Sequence, residues 1–152
     1  MKRLFNDHKV RYVQSLNGAW KFIADKDGVG KAQGWQNGLP ENAETVIVPS
    51  VWNNELRLLN FEGCGWYEKR FESVGGTLMF EFESVMTEAT VYLDGKEIGT
   101  HYGAFTQFEI IVNEVESGEH TLVVCADSTL TALSFPQRYT DWFNYGGIAR
   151  DV

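Results

Sequence analysis

The chain has 152 residues, 43% of them apolar and 14% aromatic, enough for one core that buries roughly 70% of the surface exposed by the unfolded form. Its 13 basic and 21 acidic side chains leave a formal charge of −8, which repels polyanions and provides few groups to neutralise phosphates, so nucleic acid is excluded as a partner. The start, MKRLFNDHKV, has positive charge but no apolar run after it, and no stretch reaches the ~18 apolar residues of a membrane span; the expectation is a cytoplasmic chain with no membrane partner.

LNGAWKF opens the patterned region, with a strand expected at Ala19–Ile23. The following DKDGVGKAQG lacks both the full glycine spacing of a dinucleotide or phosphate loop and the third acidic position of a calcium loop. Residues 25–44 therefore read as a long polar surface connection. Thr45–Val48 reads as a second strand, and VWNNELRLL after Pro49 has room for one or two helical turns. Trp66–Phe71 is a further strand. In TLMFEFES, Leu78, Phe80 and Phe82 point one way and Met79, Glu81 and Glu83 the other, the mark of a strand with one buried face in an antiparallel sheet. ATVYLDGKEIGTHY places Asp94-Gly95 between two strand-like runs, and that dipeptide supplies the positive φ angles of a two-residue hairpin turn. Phe108–Val112 and His120–Ala126 complete the set. Many short strands with turn signals between them, and no long helix, predict an all-β fold, a jelly-roll β-sandwich in a single domain.

Few residue patterns carry chemistry of their own. Cys64 sits between glycines in a predicted loop and Cys125 lies inside the apolar TLVVCA; two cysteines without an extracellular signal are read as unpaired. His8, His101 and His120 are far apart in sequence, none with a second ligand at metal spacing, so no metal and no cofactor is expected. Glu81 and Glu83 are separated by ~6.6 Å of strand rise, within the range of inverting glycosidases, yet they project from the same face and leave no place for a sugar between acid and base. Trp20, Trp35, Trp52, Trp66 and Trp142 lie among polar residues, where flat rings suit the CH faces of a sugar, although core packing is the simpler role for each, above all Trp20 and Trp66.

Five stretches in order, LNGAWKF (Leu16–Phe22), VPSVWN (Val48–Asn53), GWYEKRF (Gly65–Phe71), FESVMTEATVYLDGKEIGTHYGAFTQFEI (Phe82–Ile110) and DWFNYGGIARDV (Asp141–Val152), resemble the N-terminal sugar-binding domain of glycoside hydrolase family 2. That family holds β-galactosidases, β-glucuronidases and β-mannosidases. The resemblance implies a galactose-binding-like jelly roll, followed in the family by an immunoglobulin-like domain and a (β/α)8 barrel that bears the two glutamates of a retaining mechanism. The chain stops before both, so it is expected to lack catalytic residues and to have no turnover alone. The resemblance also implies that the loop headed by Asp141 reaches the mouth of the barrel, where its carboxylate contacts hydroxyls of a terminal β-linked sugar; charge-assisted hydrogen bonds suit that role. Trp142 and Asn144 flank it as further candidate contacts, Asn144 shaping the loop together with Tyr145. Asn60, near another loop that the family turns toward the active site, is the fourth candidate. Gly146 and Gly147 are expected to take backbone conformations closed to other residues, and Ile148 to re-enter the core.

The expected function is thus a noncatalytic domain of a retaining β-glycosidase that supplies one wall of the pocket, with carbohydrate and the remaining domains of a parent enzyme as partners. The alternative is an autonomous carbohydrate-binding module that stacks sugars on exposed tryptophans. Arg150–Val152 reads as the start of a strand; if its edge is left short it invites pairing with a second copy, so a homo-oligomer is also among the expected partners. The glycoside cleaved is left open.

Overall fold

The computed structural model describes residues 12–132, 134, 141 and 143–152. Alternation of apolar and polar side chains becomes strand throughout: β1 (Gly18–Asp25), β2 (Glu44–Val48), β3 (Cys64–Phe82), β4 (Val85–Met86), β5 (Glu88–Leu93), β6 (Lys96–Tyr102), β7 (Phe108–Asp127) and β8 (Gly147–Ile148). Six of them form an antiparallel sheet in the order β2-β1-β3-β7-β5-β6, while β4 pairs with β8 through Val85↔Ile148 and Met86↔Gly147. Register fixes which face each residue takes. The row Phe22, Tyr67, Val124, Val91 crosses four strands toward the core, and the next row, Ile23, Trp66, Cys125, Thr90, faces the other way.

Two pairs of expected strands are each one long strand. β3 and β7 run side by side from Cys64↔Asp127 to Phe82↔Phe108, and the register slips between Gly76 and Leu78, where β7 carries one extra residue. Gly75 (φ 83°), Gly76 (φ 95°) and Glu114 (φ 58°) adopt the left-handed backbone that this bulge needs. The ribbon doubles back there. Phe71 and Phe80, nine residues apart and so ~30 Å apart on a straight strand, meet edge to face with ring centroids 5.8 Å apart. The far half of the ribbon thereby becomes part of the second layer of a β-sandwich, and the alternation expected at 78–83 holds, with Phe80 and Phe82 buried and Met79 exposed.

Trp20, Phe22, Tyr67, Phe82, Val85, Leu122 and Ile148 fill the space between the layers. Strand β8 and its sequel close the second layer: Ala149 N donates to Ser84 O (3.0 Å), Glu83 N to Asp151 O (3.0 Å) and Leu16 N to Val152 O (2.9 Å). Asp151 and Val152, read from sequence as a short edge, are thus hydrogen-bonded to neighbours on both sides.

The segment after β1 corrects the expectation of a polar surface connection. It folds back over the outer face of the sheet and buries Trp35 and Leu39 against Trp66, Tyr92 and Val123, a second apolar cluster. Asp25 anchors it: one carboxylate oxygen accepts from Val29 N (2.8 Å), the other from Gly30 N (2.8 Å) and from Trp66 Nε1 (3.2 Å). Glu68, also buried, holds the far end by accepting from Leu39 N (2.6 Å). Cys64, expected in a loop, begins β3. The helical turns expected after Pro49 are two 3₁₀ turns, Trp52–Asn54 and Leu56–Leu58.

Candidate functional site

The turn at Trp52–Asn54 determines where the candidate residues stand. Val51 enters it in extended conformation, which turns the Trp52 ring inward between Phe22 (centroids 6.0 Å) and Phe61 (5.6 Å). Trp52 is 4% exposed and Asn53 6%, so neither is a surface plate for a ligand. Asn53 is instead a junction. Its Oδ1 accepts from Gly146 N (2.8 Å), and its Nδ2 donates to Leu59 O (3.0 Å) and Leu58 O (3.3 Å). One buried amide therefore ties the 143–146 segment to the loop that carries Asn60.

Gly146 completes the joint. Trp52 N donates to Gly146 O (3.0 Å), and a Cβ at Gly146 would stand 1.9 Å from the Trp52 ring. Glycine is required there by close approach to the indole, not by an unusual backbone angle. Gly147 does have the expected positive φ (122°), and Ile148 is fully buried. Tyr67 bonds the Ile148 backbone through its phenol, and burial pushes its pKa well above the ordinary tyrosine range, so it remains a neutral structural group.

A cleft of about 200 Å³ opens beside this joint, lined by Asn53, Leu59, Asn60, Phe61, Glu62, Ser128, Leu130, Phe143 and Asn144. Two residues singled out in the sequence, Asn60 and Asn144, thus meet across it although 84 positions separate them. Asp141 is exposed on the segment leading to Asn144 and does not line the cleft. Trp142 lies outside the described residues, as does His8. The opposite wall is closed by Ser128 N donating to Gly63 O (3.0 Å) and Leu130 N to Glu62 Oε1 (3.1 Å). Phe143 and Tyr145, both partly exposed, pack together with centroids 5.4 Å apart at the rim.

Sequence reasoning missed Asn53, Glu62 and Ser128. Asn53 caps neither of the adjoining turns and its farthest partner, Gly146, is remote in sequence, so nothing local marks it, Glu62 or Ser128. A larger cleft, about 300 Å³, lies between β2 and the Trp52 turn, floored by Phe22, Trp52 and Tyr67. Those rings are buried and engaged with one another, so it offers no stacking face.

His101 stacks on Phe108 (4.3 Å) and pairs with Thr106 Oγ1 (2.8 Å), while His120 pairs with Asp94; both roles are structural. Among the described residues no three His, Cys, Asp or Glu side chains converge as metal ligands, and no helix is long and apolar enough to cross a membrane.

Comparison with known proteins agrees with this architecture. Residues 13–152 match the family described as glycosyl hydrolases family 2, sugar binding domain. The chain is 25% identical to a β-glucuronidase of Paenibacillus borealis over 96% of its own length and 29% of that enzyme's. It is 30% identical to a β-galactosidase of Thermoanaerobacterium thermosulfurigenes, covering 94% of this chain and 21% of the enzyme. A solved structure of Ruminococcus gnavus β-glucuronidase in complex with uronic isofagomine superposes with a TM-score of 0.87 at 28% identity, over 95% of this chain and 28% of that one. The chain thus spans less than a third of the length of these relatives. With the family description matched over nearly all of its residues, this chain belongs to the sugar-binding domain of glycoside hydrolase family 2.

Proposed function

We propose that the chain is the noncatalytic first domain of a retaining β-glycosidase, in which it forms one wall of the sugar pocket while the bond-breaking carboxylates reside in further domains. The observation that carries this is the meeting of Asn60 and Asn144 in one cleft, braced by Asn53, with Asp141 exposed on the adjoining segment. Amide side chains present both donors and acceptors, and an ionised carboxylate accepts from two hydroxyls, the complement of a sugar's polyol edge. A 200 Å³ cleft open to water on one side contacts only part of a ligand, which explains why a second wall is needed for affinity. The buried positions of Trp20, Trp35, Trp52 and Trp66 count against a free-standing module that stacks sugars on tryptophan.

The test is Asp141→Ala in the enzyme that carries this domain. Loss of a charge-assisted hydrogen bond formed in a desolvated pocket lowers kcat/KM by about ten- to hundredfold, with circular dichroism and thermal midpoint unchanged. Unchanged kcat/KM on its best glycoside refutes the assignment. Turnover of a chromogenic glycoside by the pure 152-residue chain would refute the noncatalytic reading.

A further inference from the structure

Two thiols face each other on the outer side of the six-stranded sheet. Cys64 opens β3 opposite Asp127, and Cys125 stands on β7 opposite Trp66, so the pair occupies diagonal positions on one face of the ladder. Both are free, half-buried and packed against the cluster of Trp35, Trp66 and Tyr92. Cys64 is the hydrogen-bond partner that weighs most on the Cys125 thiol, and together with burial it holds that thiol protonated well above the ordinary cysteine range.

Their position bears on the cleft. The chain immediately before Cys64 carries Asn60, Phe61 and Glu62, and three residues after Cys125 comes Ser128. These two segments are joined by Ser128 N to Gly63 O (3.0 Å) and Gly63 N to Ser128 Oγ (3.2 Å). One side of the cleft therefore hangs from the strand ends that the cysteines occupy.

We propose that Cys64 and Cys125 are a redox-responsive pair, which a small-molecule disulfide such as oxidised glutathione converts to a crosslink tying β3 to β7 at the root of the cleft. Only its consequence for sugar binding rests on the reading of the cleft; the crosslink itself does not. The Cys64 thiolate attacks one sulfur of the reagent, forms a mixed disulfide and expels one glutathione thiolate. Cys125, after losing its proton to solvent, attacks the Cys64 sulfur and expels the second. Two protein S–H bonds and one external S–S bond become one protein S–S bond and two external S–H bonds, the two electrons passing to the reagent. Each thiol attacks only after losing its proton, so closure quickens as pH rises.

Diagonal neighbours on paired strands have Cα atoms ~7–8 Å apart, beyond the ~4.4–6.8 Å of a relaxed disulfide. Closure therefore draws the strand ends together and shifts Asn60–Glu62 relative to Ser128–Leu130. A crosslink under that tension is readily reduced, the property that suits a reversible device.

The experiment treats the chain with excess oxidised glutathione above neutral pH, alkylates under denaturing conditions and measures intact mass and a peptide map. The expected product carries no alkyl group and no glutathione, weighs two hydrogens less, links the Cys64 and Cys125 peptides, and reverts with dithiothreitol. Cys64→Ser and Cys125→Ser each retain one glutathione or one alkyl group instead. Two alkylated thiols, two retained glutathiones, or a disulfide-linked dimer in the wild-type product overturns the proposal. The decisive reading is made on the unsubstituted chain, so a serine variant that fails to fold leaves the result standing. Sugar binding is not the readout, so failure here leaves the role of Asp141 untouched, and the converse also holds.

Discussion

Replacing Asn53 by alanine removes, in one step, the bond that Gly146 N donates to its Oδ1 (2.8 Å) and those that its Nδ2 donates to Leu59 O (3.0 Å) and Leu58 O (3.3 Å). Asn53 is 6% exposed and Gly146 is buried, so the Gly146 N–H is left without a partner or with an imported water. A net hydrogen bond contributes ~0.5–1.5 kcal/mol and an orphaned buried donor costs ~1–3 kcal/mol; with Nδ2 shared between two carbonyls, the total is about 2–4 kcal/mol. For a domain of this length that lowers the thermal midpoint by roughly 5–15 °C, read by urea and thermal unfolding of the chain. Asn53→Asp sharpens the argument. An aspartate keeps the acceptor for Gly146 N–H but sets an anion against two carbonyl oxygens, so it destabilises at least as much at neutral pH. It recovers part of the loss on acidification, once a protonated carboxyl donates again. An Asn53→Ala loss below about 1 kcal/mol, or an Asn53→Asp chain as stable as wild type at neutral pH, refutes Asn53 as the junction.

Two further substitutions probe separate parts of the fold. Gly146→Ala drives a methyl to 1.9 Å from an indole wedged between Phe22 and Phe61; the expected loss is about 1–3 kcal/mol by urea unfolding, and Trp52→Leu in the same chain recovers part of it, a coupling that independent sites do not show. His120 pairs with Asp94 Oδ2 (2.6 Å) and with Glu116 O (3.0 Å), and chiefly the Asp94 bond raises its pKa above the ordinary ~6.5. The protonated ring is the stabilised form, so its contribution is complete below the unfolded value and is lost as pH rises through the folded one. The stability gap between wild type and His120→Gln therefore narrows from mildly acidic to alkaline pH, and a gap that stays constant or widens contradicts the pairing.

The strands were legible because period-2 alternation directly records a sheet with one buried face, as at Phe80 and Phe82, and because Asp94-Gly95 names its own turn. The continuity of β3 and β7 was not. Gly75 and Gly76 look like a loop in sequence, and only the partner strand, bulged at Glu114, shows that pairing continues through the bend. The flap over Trp66 was hidden for a related reason: Trp35 and Leu39 stand alone among polar residues, without a period, and their burial depends on Asp25 and Glu68 capturing backbone N–H groups from a distance. Among site residues, Asn60 and Asn144 were reached through a family resemblance, whereas Asn53 works through contacts 93 positions away that no local pattern encodes.

This arrangement separates the parts of the site that are rigid from the part that is conditional. Asn53, Trp52 and Gly146 are buried and mutually bonded, so they fix the cleft whether or not anything occupies it. Asp141 is exposed. In water a carboxylate exchanges solvent hydrogen bonds for sugar hydroxyls with little net gain, and the same contact strengthens only when a facing surface excludes water and lowers the local dielectric. On the proposed reading, the domain therefore carries a preformed scaffold and a carboxylate whose effect depends on assembly. Disturbing the scaffold is read as lost stability of the chain alone, and removing the carboxylate as lost catalysis in the assembled enzyme. A substitution at Asn53 that spared stability, or one at Asp141 that unfolded the chain, would exchange the two roles and contradict the geometry.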